Sequence, residues 1–204
     1  MKVELLLDNP SFANTYLVTN NESVIIIDPA CDIRYIKKYV NDKKVLAVFL
    51  THGHFDHFKT LEEVLKEYNV KCYLHKNAKE KVLDLETSYA NMFGSYKIPN
   101  INEEQFETLQ DGKIIDMESF KIKTLFTPGH TNCSVVYVID DLMFTGDTLF
   151  NYSVGRTDLA TGNSVSQINT LNMLKKMKTD YKIYPGHEQE TTLFFEQKNN
   201  PYMK

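Results

Sequence analysis

The stretch Thr51-His52-Gly53-His54-Phe55-Asp56-His57 places three imidazoles and one carboxylate within six residues. It follows the apolar run 45–50, which predicts a buried strand that ends at the motif. Polar side chains crowded at the end of a buried strand cost desolvation free energy unless a partner compensates them. Neutral imidazoles and carboxylates are common ligands of divalent metals. The ordered spacing therefore predicts a metal site rather than a solvated polar loop.

The composition is that of an ordinary globular protein, with 204 residues, 42% hydrophobic and 25% charged, so we expect one domain spanning residues 1–204. A net charge of −4 gives no reason to expect nucleic acid or an anionic membrane as a partner. No apolar window reaches the length of a membrane span, and an acid follows the N-terminus too early for a signal peptide. We therefore expect a cytoplasmic protein.

The three cysteines are too few and too widely spaced to form a disulfide framework. Cys31 and Cys72 are predicted to be small buried residues. Cys133 follows His130 by three residues and is a candidate to line the site.

Hydrophobic periodicity predicts strands and helices in both halves of the chain. The predicted strands are 3–8, 14–20, 23–28, 45–50, 70–74, 113–116, 119–126, 134–139, 142–145 and 181–184. Helices are predicted at 32–42, around 61–68, and at 77–93, 164–178 and 188–198, with loops at 94–106 and 146–163. The helix 164–178 is expected to bury Val165, Ile168, Leu171 and Leu174. This pattern favours one compact α/β domain with two sheets and outer helices.

Three more candidate ligands follow predicted strands. His130 and His187 each come directly after a Pro-Gly pair, and Asp147 follows Gly146. Proline ends strand pairing and glycine allows an unusual backbone angle, so such turns can aim a side chain from a strand end. His75 lacks this turn chemistry and is interpreted as a structural histidine. Five histidines and two aspartates are enough for two metal ions, which can share a carboxylate and a hydroxide at about 3.5–4 Å separation.

The chain resembles the metallo-β-lactamase superfamily over almost its whole length. The motif residues, in order, are His52, His54, Asp56, His57, His130, Asp147 and His187. The resemblance implies an α/β fold, the four-layer αββα sandwich, with a metal site at the edge between its sheets. It also implies that His52, His54 and His130 hold one ion, that Asp56, His57 and His187 hold the other, and that Asp147 bridges the two.

Within that superfamily the chain looks most similar to the glyoxalase II (hydroxyacylglutathione hydrolase) branch. The similarity lies in the stretches 127–131, 146–150 and 154–158 and in the final Pro-Gly-His. Two departures stand out. Only seventeen residues follow His187, whereas glyoxalase II carries a C-terminal helical extension that helps to hold glutathione. Asn132-Cys133 also stands where the branch often has Pro-Gly.

The resemblance implies cleavage of a small-molecule acyl-thiol by a hydroxide that the two ions activate. The ions are expected to be zinc, with iron or manganese as alternatives. A thiolate, with a conjugate-acid pKa of about 8.5, leaves without a dedicated acid. Asp56 is a ligand that can also orient the hydroxide. Arg156 is a candidate for holding a substrate carboxylate and Tyr152 for a hydrogen bond, although an ion pair with Asp158 and plain aromatic packing are the structural alternatives.

Other functions remain open from the sequence. One is a persulfide dioxygenase of the same fold, which holds a single iron through two histidines and one carboxylate. Others are a lactone hydrolase of this fold and a metal-binding module without turnover. A nuclease is disfavoured because the chain has no basic face. The sequence does not specify the metal, the acyl group, the thiol carrier or the oligomeric state.

Overall fold

A computed structural model of the protein describes residues 1–94 and 96–204. These residues form two compact units, one made of Met1–Leu109 and Met117–Ser119, the other of Gln110–Asp116 and Phe120–Lys204. Each unit contains helices, and the strands form two six-stranded sheets. The predicted α/β class with two sheets is therefore confirmed, while the assignment of one domain to the chain stays a prediction.

The first sheet follows the order of the chain. Its strands are β1 (Lys2–Leu6), β2 (Thr15–Asn20), β3 (Ser23–Ile27), β4 (Lys44–Phe49), β5 (Lys71–His75) and β6 (Phe106–Leu109), and its helices are α1 (Ile33–Val40), α2 (Leu61–Tyr68) and α3 (Lys76–Val82). Strands β1 to β3 are antiparallel, whereas β3 to β6 are parallel. The carboxyl ends of β3 and β4 therefore lie at the same edge of the sheet. Strand β3 is buried over its whole length, as its apolar sequence predicts.

The second sheet also follows the chain order. Its strands are β7 (Ile114–Met117), β8 (Phe120–Phe126), β9 (Val135–Ile139), β10 (Leu142–Gly146), β11 (Lys182–Pro185) and β12 (Thr191–Thr192), and its helices are α4 (Ser164–Lys175) and α5 (Leu193–Asn199). Strand β9 is antiparallel to β8 and β10, and β10 is parallel to β11. Strands β8, β10 and β11 consequently run in the same direction, so their carboxyl ends meet at one edge. The core of this unit contains Val136, Val138, Met143, Leu149, Leu171, Leu174, Ile183, Leu193 and Met203.

The predicted helix 77–93 is wrong beyond its first turns, because α3 ends at Val82. The Asp84 carboxylate accepts hydrogen bonds from the backbone N–H groups of Glu86 and Thr87, both at 2.9 Å. Such a local side-chain bond competes with helix formation. Tyr89 then adopts a left-handed backbone angle, φ 61°, before a short 3₁₀ helix at Ala90–Phe93.

The predicted buried face of α4 is wrong at two positions. Val165 and Ile168 are 66% and 58% exposed, whereas Leu171 and Leu174 are buried as predicted. The buried face is rotated because it includes Gln167, whose amide donates to the Thr148 carbonyl and accepts from the His130 N–H. A buried amide with both groups hydrogen-bonded can occupy a core position that the apolar pattern does not reveal.

Two short strands were not predicted. Strand β6 has only four residues and is formed by parallel pairing with β5. Residues Thr191–Thr192 pair with β11 as β12, so α5 begins at Leu193 rather than near residue 188. Tertiary pairing decides both elements, and their local sequence carries little signal. In the described part of the chain, no helix has both the length and the hydropathy needed to cross a bilayer.

Candidate metal centre

The histidine motif forms a tight turn at the end of β4. Residues Phe55–His57 make a 3₁₀ helix, and the Phe55 N–H donates to the Ser88 carbonyl at 2.9 Å. This turn brings the imidazoles of His52, His54 and His57 together and buries all three. The ring centroid of His52 lies 4.6 Å from that of His54 and 4.1 Å from that of His57.

Asp28, which sequence reasoning treated only as the end of a strand, orients two of these rings. It is buried directly after β3, beside the end of β4. Its Oδ2 accepts from His57 Nδ1 at 2.8 Å and from the Thr51 hydroxyl at 2.6 Å, and its Oδ1 accepts from the Thr51 N–H at 2.8 Å. The signal that was available in the sequence is an acid that ends an apolar strand next to the motif.

The Thr51 hydroxyl extends this network to His52. Thr51 Oγ1 lies 3.1 Å from His52 Nδ1. Because the hydroxyl proton goes to Asp28, Oγ1 acts as the acceptor and His52 Nδ1 as the donor. The same logic places the proton of His57 on Nδ1, where Asp28 accepts it. In the neutral form of each ring, the unprotonated nitrogen is then Nε2, which is the atom that can bind a metal.

The second unit gathers the other three candidate ligands at the carboxyl ends of β8, β10 and β11. Asp147 lies between two imidazoles. Its Oδ2 is 3.5 Å from His130 Nε2 and 3.8 Å from His187 Nε2. The ring of His187 also meets the edge of Phe150, with the centroids 6.2 Å apart. One carboxylate thus faces two histidine nitrogens.

His130 is fixed from behind by the loop that follows β10 and by α4. Its Nδ1 donates to the Arg156 carbonyl at 2.8 Å, and its backbone N–H donates to Gln167 Oε1 at 3.1 Å. Gly155 is packed so tightly here that a Cβ atom would lie 1.9 Å from the Asp147 carbonyl oxygen. Gln167 and Gly155 are further residues of the site that sequence reasoning missed, because their roles depend on tertiary contacts.

The two candidate substrate residues lie in the same long loop. The Arg156 guanidinium forms a bidentate ion pair with Asp158, at 2.7 and 2.6 Å, and both side chains are exposed. This hydrogen-bonded pair lowers the pKa of Asp158 to about 2. Tyr152 has a left-handed φ of 58°, and its ring packs against Phe195 with centroids 5.1 Å apart. Their contact with a substrate stays a prediction.

All three cysteines are buried free thiols. Cys133 Sγ lies 3.3 Å from the Thr131 hydroxyl. Burial raises the pKa of Cys31 to about 11, so its thiol stays protonated at neutral pH.

The donor groups within each unit suit divalent cations. In the first unit the His57 Nε2 and Asp56 Oδ2 atoms are 3.8 Å apart, and the ligand nitrogens of His52 and His54 lie within 4.8 Å of each other. The Nε2 atoms of His52, His54 and His57 are buried. Buried imidazoles whose Nδ1 atoms are held by carboxylate, hydroxyl or carbonyl groups are typical of zinc-type sites. The residues present therefore fit the metal ions that the motif predicts.

Comparison with known proteins agrees with this chemistry. The profile of the Metallo-beta-lactamase superfamily matches residues 8–187. The chain is 31% identical over 208 residues to the probable metallo-hydrolase YqgX of Bacillus subtilis, covering 100% of this chain and 98% of that protein. It is 28% identical over 214 residues to the hydroxyacylglutathione hydrolase GloC of Haemophilus influenzae, with coverage of 100% and 98%.

Solved structures give the same fold. The BLEG-1 B3 metallo-beta-lactamase superposes with a TM-score of 0.89 at 25% identity, covering all of both chains. TTHA1623, solved in a di-iron-bound form, superposes with a TM-score of 0.85 at 26% identity, covering 98% of this chain and 100% of that one. The predicted fold is thus confirmed, and the chain belongs to the metallo-beta-lactamase superfamily as one of its metal-dependent hydrolases.

Proposed function

We propose that this protein hydrolyses the thioester of a hydroxyacyl-thiol, of the lactoylglutathione type, at a centre of two divalent ions. The observation that carries the proposal is the position of Asp147, whose Oδ2 faces His130 Nε2 and His187 Nε2 at 3.5 and 3.8 Å. A carboxylate between two imidazoles is the arrangement expected of a ligand that two ions share. The similarity to GloC, a protein named as a hydroxyacylglutathione hydrolase, supports the choice of substrate.

The proposed ligand assignment follows the superfamily pattern. His52, His54 and His130 would hold one ion, Asp56, His57 and His187 would hold the other, and Asp147 would be a ligand of both. When bound, such a pair of cations lowers the pKa of a water molecule toward about 7 and polarises the acyl carbonyl. Zinc is the proposed metal. Iron and manganese suit the same donors, and the di-iron form of TTHA1623 supports testing iron alongside zinc.

Protein side chains orient the ligands and the attacking oxygen. Asp28 keeps the proton of His57 on Nδ1 and, through Thr51, that of His52, so both Nε2 atoms stay available as ligands. Asp56 accepts a hydrogen bond from the attacking oxygen and so orients it toward the acyl carbon. The tetrahedral intermediate then expels a thiolate, whose conjugate-acid pKa of about 8.5 removes the need for a general acid.

Arg156 and Tyr152 are the proposed substrate contacts. The Arg156 guanidinium is exposed and already holds one carboxylate, that of Asp158, in a bidentate pair. A substrate carboxylate has the same geometry and would exchange with Asp158. Tyr152 is exposed in the same loop and offers a phenol. The proposed substrate is therefore an acyl-thiol that carries a free carboxylate.

The test is a thioester panel with protein whose metal content is measured by elemental analysis. We expect thiol release from lactoylglutathione or a related hydroxyacyl-thiol, and we expect Asp147→Asn to lower kcat/KM at least about 100-fold because it removes a shared ligand. Asp141→Asn is the matched control, since Asp141 is an exposed acid at the opposite end of β10. It should keep wild-type activity.

The same preparations identify the competing activities. They are assayed for lactone opening, for β-lactam hydrolysis and for oxygen uptake with glutathione persulfide. Absence of thiol release from every thioester at full metal occupancy would overturn the thioesterase proposal. Turnover of one of the other substrates in that case would identify the chemistry that replaces it.

A further inference from the structure

Tyr89 has an unusual backbone conformation close to the histidine motif. Its φ and ψ are 61° and 20°, in the left-handed region. A residue with a bulky side chain rarely adopts this conformation, because its Cβ approaches the neighbouring carbonyl group. Such strain persists only where the surrounding structure imposes it, and it is concentrated at functional sites.

Contacts on the N-terminal side of Tyr89 impose this conformation. The Asp84 carboxylate accepts from two backbone N–H groups, and the Asp84 carbonyl accepts from the Ser88 N–H at 3.1 Å. The Ser88 carbonyl in turn accepts the Phe55 N–H at 2.9 Å. Ser88 and Ala90, the two neighbours of Tyr89, are both buried. The backbone on both sides of Tyr89 is thus anchored to the first unit.

The Tyr89 side chain reaches the ring of His54. The two ring centroids are 5.2 Å apart with an interplanar angle of 76°. His54 also meets the His52 ring at 4.6 Å and 78°. The His54 imidazole is therefore nearly perpendicular to two neighbouring rings.

We infer that Tyr89 is a positioning residue for His54, which fixes the plane of the imidazole through edge-to-face contact and thereby tunes its binding of a metal ion. The inference rests on the proposed function, which assigns His54 to one of two ions. The inference concerns the contact that the Tyr89 ring makes with the His54 ring. The cost of the left-handed backbone is explained if it places this ring beside His54.

The test measures metal binding rather than turnover. Zn²⁺ and Co²⁺ are titrated against a chromophoric chelator, and the Co²⁺ d–d absorption spectrum reports the ligand geometry. We expect Tyr89→Leu to lower the affinity for one of the two ions about tenfold, as loss of a ligand-orienting partner does. The Co²⁺ absorption spectrum of this variant should also shift. Tyr89→Phe keeps the ring and should stay within about twofold of the wild type, with an unchanged spectrum.

Phe93→Leu separates a positioning role from general loosening of the segment. Phe93 ends the short 3₁₀ helix that follows Tyr89, and its ring packs on Phe12 and Phe55, with centroids 5.3 and 5.8 Å apart. This variant should lower the thermal unfolding temperature of the metal-free protein and leave metal affinity and the Co²⁺ spectrum within about twofold of the wild type. Equal losses of metal affinity in Phe93→Leu and Tyr89→Leu would show a purely structural role and overturn the inference.

His54→Ala distinguishes failure of this inference from failure of the proposed function. If His54→Ala loses an ion but Tyr89→Leu binds both ions like the wild type, only the role of Tyr89 is wrong. If His54→Ala itself binds both ions normally, the ligand assignment is wrong and the inference falls with it.

Discussion

At the residue scale, the candidate ligands depend on partners that lie far from them in the sequence. Asp28 precedes His57 by 29 residues and still accepts its Nδ1 proton at 2.8 Å. Gln167 follows His130 by 37 residues and still holds its backbone N–H. The orientation of the imidazoles is thus decided outside the motifs that contain them.

Asp28→Asn tests this dependence. The amide keeps the size of the side chain but loses one acceptor oxygen, so it cannot serve the Thr51 N–H, the Thr51 hydroxyl and His57 together. We expect Zn²⁺ affinity to fall about 10–100-fold, as for other partners of metal-bound histidines. Chelator competition measures the affinity. Asp42→Asn, at an exposed acid of the same unit, is the control. Equal affinities in the two variants would show that Asp28 does not orient the ligands.

Gly155→Ala tests the packing behind His130 and Asp147. A Cβ atom at this position would lie 1.9 Å from the Asp147 carbonyl oxygen and 3.0 Å from His130 Cβ, so the loop must move. We expect at least about a tenfold loss of kcat/KM, because small displacements of ligands are costly in catalysis. Steady-state kinetics with the best thioester provides the measurement. Ser153→Ala in the same loop should behave like the wild type, and unchanged activity in Gly155→Ala would contradict the described packing.

The candidate ligands could be predicted from the sequence because their spacing is local. His52, His54, Asp56 and His57 fall in one short stretch, and the Pro-Gly turns mark the other histidines. Tyr89 carries no such signal, since its neighbours are consistent with a continuing helix. Its relation to His54 arises from the Asp84 turn and from the bond between Ser88 and Phe55. The residues that orient ligands are brought to them by tertiary structure, so the spacing of residues in the sequence does not identify them.

At the scale of elements, the apolar strands were predictable, including the four-residue β7 and β11, whereas β6, β12 and the end of α3 were not. Strands β2 to β4 lie within about two residues of their predicted bounds because their buried runs are unambiguous. The end of α3 was missed because a side-chain hydrogen bond, rather than a proline or glycine, ends it. Local polar bonds of this kind compete with helix formation without changing the hydrophobic pattern.

Protonation of His75 should make the stability of helix α3 depend on pH. Its Nδ1 accepts the Asn77 N–H at 3.1 Å and so caps α3. Burial of the ring, together with Lys76, lowers the pKa of His75 below 6.5. The unfolded state therefore binds more protons below pH 6.5, and stability is lost as the pH falls through 6.5 toward the folded pKa. We expect His75→Asn, which can cap but does not titrate, to flatten the fall in the free energy of unfolding between about pH 7.5 and 5.5.

Denaturant unfolding of metal-free protein at each pH provides the measurement. The other five histidines are present in both proteins, so the comparison isolates His75. Parallel curves for the wild type and His75→Asn would show that protonation of this cap does not contribute to acid sensitivity.

At the scale of the whole molecule, metal binding should raise the free energy of unfolding and the Tm. A ligand that binds only the folded state stabilises it by about 2.7 kcal/mol at 100 times its Kd. For a chain of this size we expect a rise in Tm of about 5–10 °C with Zn²⁺, reversed by a chelator. Differential scanning calorimetry measures the shift. Asp147→Asn should show a smaller rise than Asp141→Asn, and a Tm that is independent of zinc would argue against the proposed centre.

The general class of the protein was accessible from the sequence, whereas its specificity was not. The order of the ligand motifs over residues 52–187 is enough to indicate the superfamily, and the profile match confirms it. In the proposed function, the substrate is selected by exposed loop residues such as Arg156 and Tyr152. Such residues vary among proteins of one fold, so fold and ligand motif leave the substrate to be measured.

In both sheets, the spatial order of the strands is the same as their order in the sequence, which is the order of synthesis. Each new strand can therefore add to an existing edge without waiting for a distant partner. The first sheet is complete at Leu109, several seconds of translation before His187 emerges at about 5–20 residues per second. The nascent chain already carries Asp28 and the three clustered imidazoles at that stage. The other three candidate ligands, His130, Asp147 and His187, are therefore synthesised only after the strands of the first sheet are complete.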